Sequence, residues 1–401
     1  MRKVLIMCDS DPGRDPRPNR MIHWLKDDYQ VTVIGRNNVQ IERVESIAFV
    51  TSGHTTTTSR IATALPGKIR GVIRRSIGLA RTPIRLVRIG SGRFEDVLWP
   101  TLGRARQLQH QLAERRFDLI ITHYCTLLPL AFAVKDTAAK VMLDAKEYYP
   151  GEFVDQWRWR LLTKPVNEYL CAEYLHRCDK IITVSDGLAQ RYRTEYAVQP
   201  EVIMSLPTFR PLAPAQTNDR AIRIVHHGWA NPSRRTEIMI EMMDYVDGRF
   251  ALDLMLVVDR SKYWDRMATM ANQRENVRII PPVSMQDIVP FTNRYDIGVF
   301  LCKPTNPSLE YTLPNKLFEF IQARLAVAIG PSIEMKRILE EYGCGVVSTD
   351  FEPQSLAKEL NGLTADRIMS YKMKSHAAAS ELSAETSRAR VKEIVSELVG
   401  R

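Results

Sequence analysis

A lysine at an expected helix start is the first feature of this sequence that could do chemistry. In Glu310-Tyr311-Thr312-Leu313-Pro314-Asn315-Lys316-Leu317-Phe318-Glu319, Pro314 and Asn315 place a helix start directly before Lys316. Unpaired backbone N–H groups and one ammonium then meet at the positive end of the helix dipole, which makes an anion site. Glu319 lies about one turn further on, where a carboxylate can accept the two hydroxyls of a ribose, as the acidic residue of dinucleotide folds does. The plainer alternative is a glutamate that stabilises the first turn of its own helix.

A second group is the run Gly228-Trp229-Ala230-Asn231-Pro232-Ser233-Arg234-Arg235-Thr236-Glu237. A glycine, an Asn-Pro turn and two arginines before a helix suit a diphosphate, through free backbone N–H groups and charge-assisted bonds. A turn with solvated arginines is the alternative. The one Asp-x-Asp match, Asp9-Ser10-Asp11, falls in the first loop of the chain, where aspartate also serves turns. The six cysteines, Cys8, Cys125, Cys171, Cys178, Cys302 and Cys344, have neither CxxC nor Cys/His ligand spacing. Neither a metal site nor a disulfide framework is expected from them.

The elements that would carry these residues alternate. Val4–Cys8 reads as a strand, Asp9–Pro18 as a polar loop, Asn19–Lys26 as a helix and Gln30–Gly35 as a strand, which is a parallel βαβ unit. Apolar runs Phe117–His123, Ala139–Asp144 and Lys180–Ser185 continue it, as strands covered on both faces should. From Leu206 to Asp219 proline, threonine and asparagine take over, a linker composition. Arg223–Gly228 restarts the alternation, followed by a helix Arg235–Tyr245 and strands Leu252–Val258, Val277–Ile280 and Asp296–Leu301. Ala365–Gly400 is polar and helical in composition. In open parallel sheets ligands bind beyond the carboxyl ends of the strands, which is where both candidate groups lie. The fold expected is α/β, with two Rossmann-like doubly wound domains facing across a cleft.

The 401 residues are 45% hydrophobic and 25% charged, ordinary for two globular domains. No run approaches the roughly 20 apolar residues of a spanning helix, and no cleavable signal opens the chain, so a cytoplasmic protein is expected. The formal charge of +10 implies an anionic partner. Nine of the cations, from Arg60 to Arg93, fall in one stretch with no acid before Glu95.

Several segments in register resemble one family. Asn315-Lys316-Leu317-Phe318-Glu319-Phe320-Ile321-Gln322-Ala323, then Val327–Gly330 and Glu341–Val347, are similar to the donor-binding half of the retaining family-4 glycosyltransferases (group 1, GT-B). Phe117–His123, Leu143–Pro150, Cys178–Leu188 and Arg294–Val299 look like that family's upstream segments in the same order. Residues 50–110 match least.

The resemblance implies an N-terminal acceptor-binding domain over 1–207 and a nucleotide-sugar-binding domain over 221–375. A C-terminal helix, 376–401, is expected to pack back on the first. It implies a metal-independent, retaining transfer from a UDP-sugar, or a GDP-sugar, to a glycan or lipid-linked acceptor in cell-surface polysaccharide or glycolipid synthesis, with no cofactor. Glu319 would bind the donor ribose, Asn315 and Lys316 would face sugar and phosphates, and Arg234 would hold the diphosphate beside Gly228. Arg234, Lys316 and Lys146 are the catalytic candidates, the cations neutralising charge on the leaving group.

Three positions depart from the family pattern. Tyr311, with Glu310 before it, stands where a first glutamate is usual; Trp229 follows Gly228, leaving Arg235 to supply a phosphate contact; and Lys146 replaces a histidine. Asp9, Asp11, Arg17 and His123 are the acceptor-side candidates. The Arg60–Arg93 stretch, with apolar residues among its cations, suits peripheral docking on an anionic membrane, while its lack of aromatics speaks against nucleic acid. A sugar-nucleotide 2-epimerase on the same scaffold, or a non-catalytic subunit with a degenerate site, are the alternatives.

Overall fold

The computed structural model describes residues 1–49, 82–101, 105–230, 232–258 and 261–400. Two compact units partition the chain. The first comprises Met1–Thr183, Leu188–Val202 and Val391–Arg401, the second Val184–Gly187 and Ile203–Arg390.

Among the described residues, the first unit is built on a seven-stranded sheet in the order β3-β2-β1-β4-β5-β6-β7. Its strands are β1 (Lys3–Met7), β2 (Gln30–Gly35), β3 (Val44–Ala48), β4 (Leu119–Thr122), β5 (Lys140–Ala145), β6 (Lys180–Thr183) and β7 (Glu201–Val202). Among the described residues the ladders of this sheet are all parallel; β1 meets β4 from Val4↔Leu119 to Met7↔Thr122. The chain winds outward from β1 in one direction and returns to β4 for the other, so a crevice opens beyond the ends of β1 and β4. The first helix runs Pro16–Leu25, three residues earlier than expected. Pro16 and Pro18 both fall in its first turn, where no intrahelical N–H donor is needed, so they start the helix instead of prolonging the loop.

The second unit repeats the plan with β8 (Ile222–Trp229), β9 (Phe250–Val257), β10 (Val277–Ile280), β11 (Ile297–Phe300), β12 (Ala326–Ile329) and β13 (Gly345–Val347), in the order β10-β9-β8-β11-β12-β13. Alternate side chains feed two cores. Ile222, Ile224, Ile297, Val299, Ala326 and Ala328 pack on one face, and Val225, Phe300, Val327 and Ile329 on the other. That division is why these strands read as continuous apolar runs.

The helix expected over Arg235–Tyr245 is only Glu237–Met242. Arg235 takes φ +47, a left-handed conformation that cannot continue a right-handed helix. The tail forms two helices, Ala365–Ala378 and Ala384–Val399. Of the basic stretch, residues 60–81 lie outside the described residues; 82–90 form a helix on which Ile84, Leu86 and Val87 are exposed. Among the described residues no helix is long and apolar enough to cross a membrane.

Candidate functional site

In the second unit the switch point lies between β8 and β11. Their ladder consists of Ile224↔Ile297 and Val225↔Gly298, and the residues just beyond it on β8 are His226, His227 and Gly228. Gly228 has φ +132, a conformation open chiefly to glycine. The helix Asn315–Gln322 begins beside it, capped by Pro314 in extended conformation. Its second residue, Lys316, is buried, with Nζ 3.2 Å from His226 Nε2 and 4.7 Å from the centre of the Phe300 ring.

Burial, and then the like charge of Arg234, bring the Lys316 ammonium down to about 7. On the same helix Glu319 places Oε2 3.3 Å from His227 Nε2. Burial and the Lys316 cation hold His227 down at about 3, so this ring is uncharged at neutral pH. The second unit thus offers a concealed cation, an arginine and a carboxylate at the carboxyl end of a parallel sheet. That set can bind a phosphate ester and a diol together.

The corresponding end of the first unit is denser in acids. Asp144, at the end of β5, is fully buried and accepts from Arg17 Nε through both oxygens at 2.8 and 2.7 Å. His123 Nδ1 lies 3.0 Å from the same carboxylate. Burial alone would raise Asp144, but the guanidinium and the imidazole outweigh it and hold the carboxyl well below the usual range. Lys146 forms an ion pair with Asp15 at 2.5 Å, and Ser10 also donates to Asp15 at 2.9 Å. The Tyr124 hydroxyl donates to Glu152 at 2.5 to 2.6 Å. Burial, followed by repulsion from Glu147, pushes Glu152 up to about 7. Burial also raises Asp9 despite its Arg36 partner at 3.2 Å.

Comparison with known proteins bears on the fold. The model of Glycosyltransferase Family 4 matches residues 23–212. Over that span, a little under half of the chain, the sequence is similar to glycosyltransferase family 4. No curated protein matches the sequence. Among solved structures, HepE of Anabaena in complex with UDP and glucose is similar with a TM-score of 0.68 and 14% identity, over 99% of this chain and 100% of that one. Sucrose-phosphate synthase from Thermosynechococcus elongatus is similar with a TM-score of 0.72 and 10% identity, over 99% of each chain. At such identities the likeness shows the fold alone, two Rossmann-like units of the GT-B kind.

On this scaffold the residues singled out from the sequence fall into distinct settings. Gly228, Lys316 and Glu319 converge at the β8 switch point, with Arg234 close enough to lower Lys316. Arg235 points to solvent, its Nε 3.9 Å from Glu237. Asn315 accepts a hydrogen bond from the Ser205 hydroxyl at 3.0 Å. The Tyr311 ring lies against the backbone of Gly187 and its carbonyl accepts from Ser185, so packing occupies this residue. Glu310 closes the short helix Pro307–Glu310, and Trp229 is 62% exposed.

In the first unit Asp11 accepts from the Gly13 N–H at 3.0 Å and from Asn37 at 2.8 Å, which is turn chemistry. Arg17 is buried against Asp144. Sequence reasoning passed over His226, His227, Tyr124 and Glu152. The adjacent histidines follow the apolar start of β8, and that position was the available signal.

Proposed function

We propose that this chain is a retaining family-4 glycosyltransferase whose second unit binds a UDP-sugar. The carrying observation is the buried Lys316, held beside the side-chain-free Gly228 and three positions before Glu319, at the carboxyl end of β8. The diphosphate would take the ammonium, the Arg234 guanidinium and the N–H groups at the start of Asn315–Gln322; Glu319 would accept the ribose hydroxyls. Support for uracil as the base comes from HepE, whose crystals hold UDP and glucose.

Retention follows when the acceptor oxygen bonds to the anomeric carbon on the face from which the diphosphate departs. The bond from that carbon to the β-phosphate oxygen breaks, its electrons go to the diphosphate, and the acceptor's hydroxyl proton passes to a departing oxygen. Cations that stabilise the leaving charge therefore contribute more than a strong base would. The first unit would bind the acceptor, a glycan or lipid-linked sugar, through the polar group around Asp9, Lys146 and His123.

The test is a thermal-shift panel of UDP- and GDP-sugars, followed by transfer assays with wild type and Glu319→Ala. A ligand that binds only the native state raises its melting temperature. UDP-sugars should stabilise the wild type and not E319A, and transfer should fall with E319A. Equal transfer by both proteins would remove this site, and an isomerised sugar formed without acceptor would identify an epimerase.

A further inference from the structure

His226 lies in the switch-point crevice, 2% exposed, one residue beyond the last rung between β8 and β11. Its Nδ1 is 2.9 Å from the Val299 carbonyl oxygen and its Nε2 is 3.2 Å from Lys316 Nζ. The ring stacks with Phe300 at 5.9 Å and 3°. Three elements therefore meet on one imidazole: its own strand, β11, and the start of the helix Asn315–Gln322.

The proton positions follow from the partners. A carbonyl oxygen can only accept, so Nδ1 carries the hydrogen; an ammonium can only donate, so Nε2 presents its lone pair. Burial, and then the Lys316 cation, push His226 well below its ordinary range, which keeps the ring neutral and in this single tautomer.

We propose that His226 is a positioning residue, an uncharged acceptor that fixes the Lys316 ammonium in place while leaving its charge available to a nucleoside diphosphate. A carboxylate at this position would hold the lysine equally well but would neutralise it. The inference rests on the donor-site reading above, and deepens it by assigning the lysine's geometry to a second side chain.

A pH signature follows. The titratable groups around Lys316 are His226 and His227 from β8, Arg234 from the turn after it, Cys302 just beyond β11, and Glu319 on its own helix. Burial and Arg234 make the unliganded ammonium easy to deprotonate, and an arriving diphosphate restores its preference for the proton. UDP binding should therefore take up a proton and weaken as pH rises above about 7.

The experiment measures the affinities of UDP and uridine by calorimetry from pH 6 to 9 for wild type, His226→Phe and His226→Gln. Phenylalanine keeps the stacking and loses both hydrogen bonds, whereas glutamine supplies one donor and one acceptor. His226→Phe should bind UDP about 10- to 100-fold more weakly, the effect of removing a hydrogen bond to a charged group. Uridine affinity should not change, and His226→Gln should recover most of the loss. The pH dependence of UDP binding should shift in His226→Phe relative to wild type.

UDP affinity and pH dependence unchanged in His226→Phe would overturn the assignment, as would a parallel loss of UDP and uridine, which marks general disruption. A wild type that binds no nucleoside diphosphate would instead remove the donor-site reading itself.

Discussion

A Cβ atom at Gly228 would stand 3.2 Å from the Lys316 ammonium nitrogen. The missing side chain on β8 and the place of the lysine on its helix are thus one arrangement. Gly228→Ala must move the lysine and also adopt φ +132, a backbone cost of about 1–3 kcal/mol. We expect UDP affinity in calorimetry to drop by about tenfold or more, alongside lower stability in urea. Wild-type affinity in G228A would show that Lys316 needs no such space.

The same helix is set by a second glycine. A Cβ at Gly298 would lie 2.3 Å from the Phe320 ring, so this strand position lets Asn315–Gln322 pack closely on β11. Gly298→Ala should destabilise the protein by about 1–3 kcal/mol through overpacking, and should weaken UDP binding by displacing Lys316. Because Phe320 Cγ is the atom the new methyl meets, Gly298→Ala combined with Phe320→Ala should lose less stability than the sum of the two single losses; additive losses would contradict this route.

Arg17 is the partner that keeps buried Asp144 ionised. Arg17→Ala leaves that carboxylate without its guanidinium, at a cost of about 3–5 kcal/mol. Urea unfolding of R17A, D144N and the double variant should give a double-mutant effect well below the sum of the singles. Additive effects would mean that the pair does not act as a unit.

Glu152 gives a pH dependence of opposite sign to that of an ion-paired acid. Its folded value of about 7 lies above the ordinary 4.5, so between these limits the native protein holds a proton that the unfolded chain releases. Its contribution is fully present below about 4.5 and is lost as pH rises through about 7. Unfolding free energies of wild type and Glu152→Gln, measured from pH 4.5 to 8, should diverge in favour of the variant as pH rises. Parallel curves would rule out this titration.

The apolar runs that became β1, β4, β5, β8, β9 and β11 were legible in the sequence, because strands buried on both faces have few alternatives to continuous hydrophobic residues. So was the helix start at Pro314, which follows from local stereochemistry. Helix ends were less legible. Arg235 carries no sign in its own chemistry that it will sit at φ +47 and delay the helix to Glu237. The short strands β3, β7 and β13 gain their stability from the neighbours they pair with, not from a pattern of their own.

What the sequence determined by itself was a pair of doubly wound sheets, with Arg234, Lys316 and Glu319 as the candidates for an anion site. Only the tertiary structure placed His226 against a lysine 90 residues away and Arg17 against an aspartate 127 residues away. Such pairs depend on strand order, since parallel strands bring together loops that lie far apart along the chain. Burial and charged neighbours then shift Lys316, His226 and Asp144, and both belong to the folded molecule, not to any stretch of its sequence.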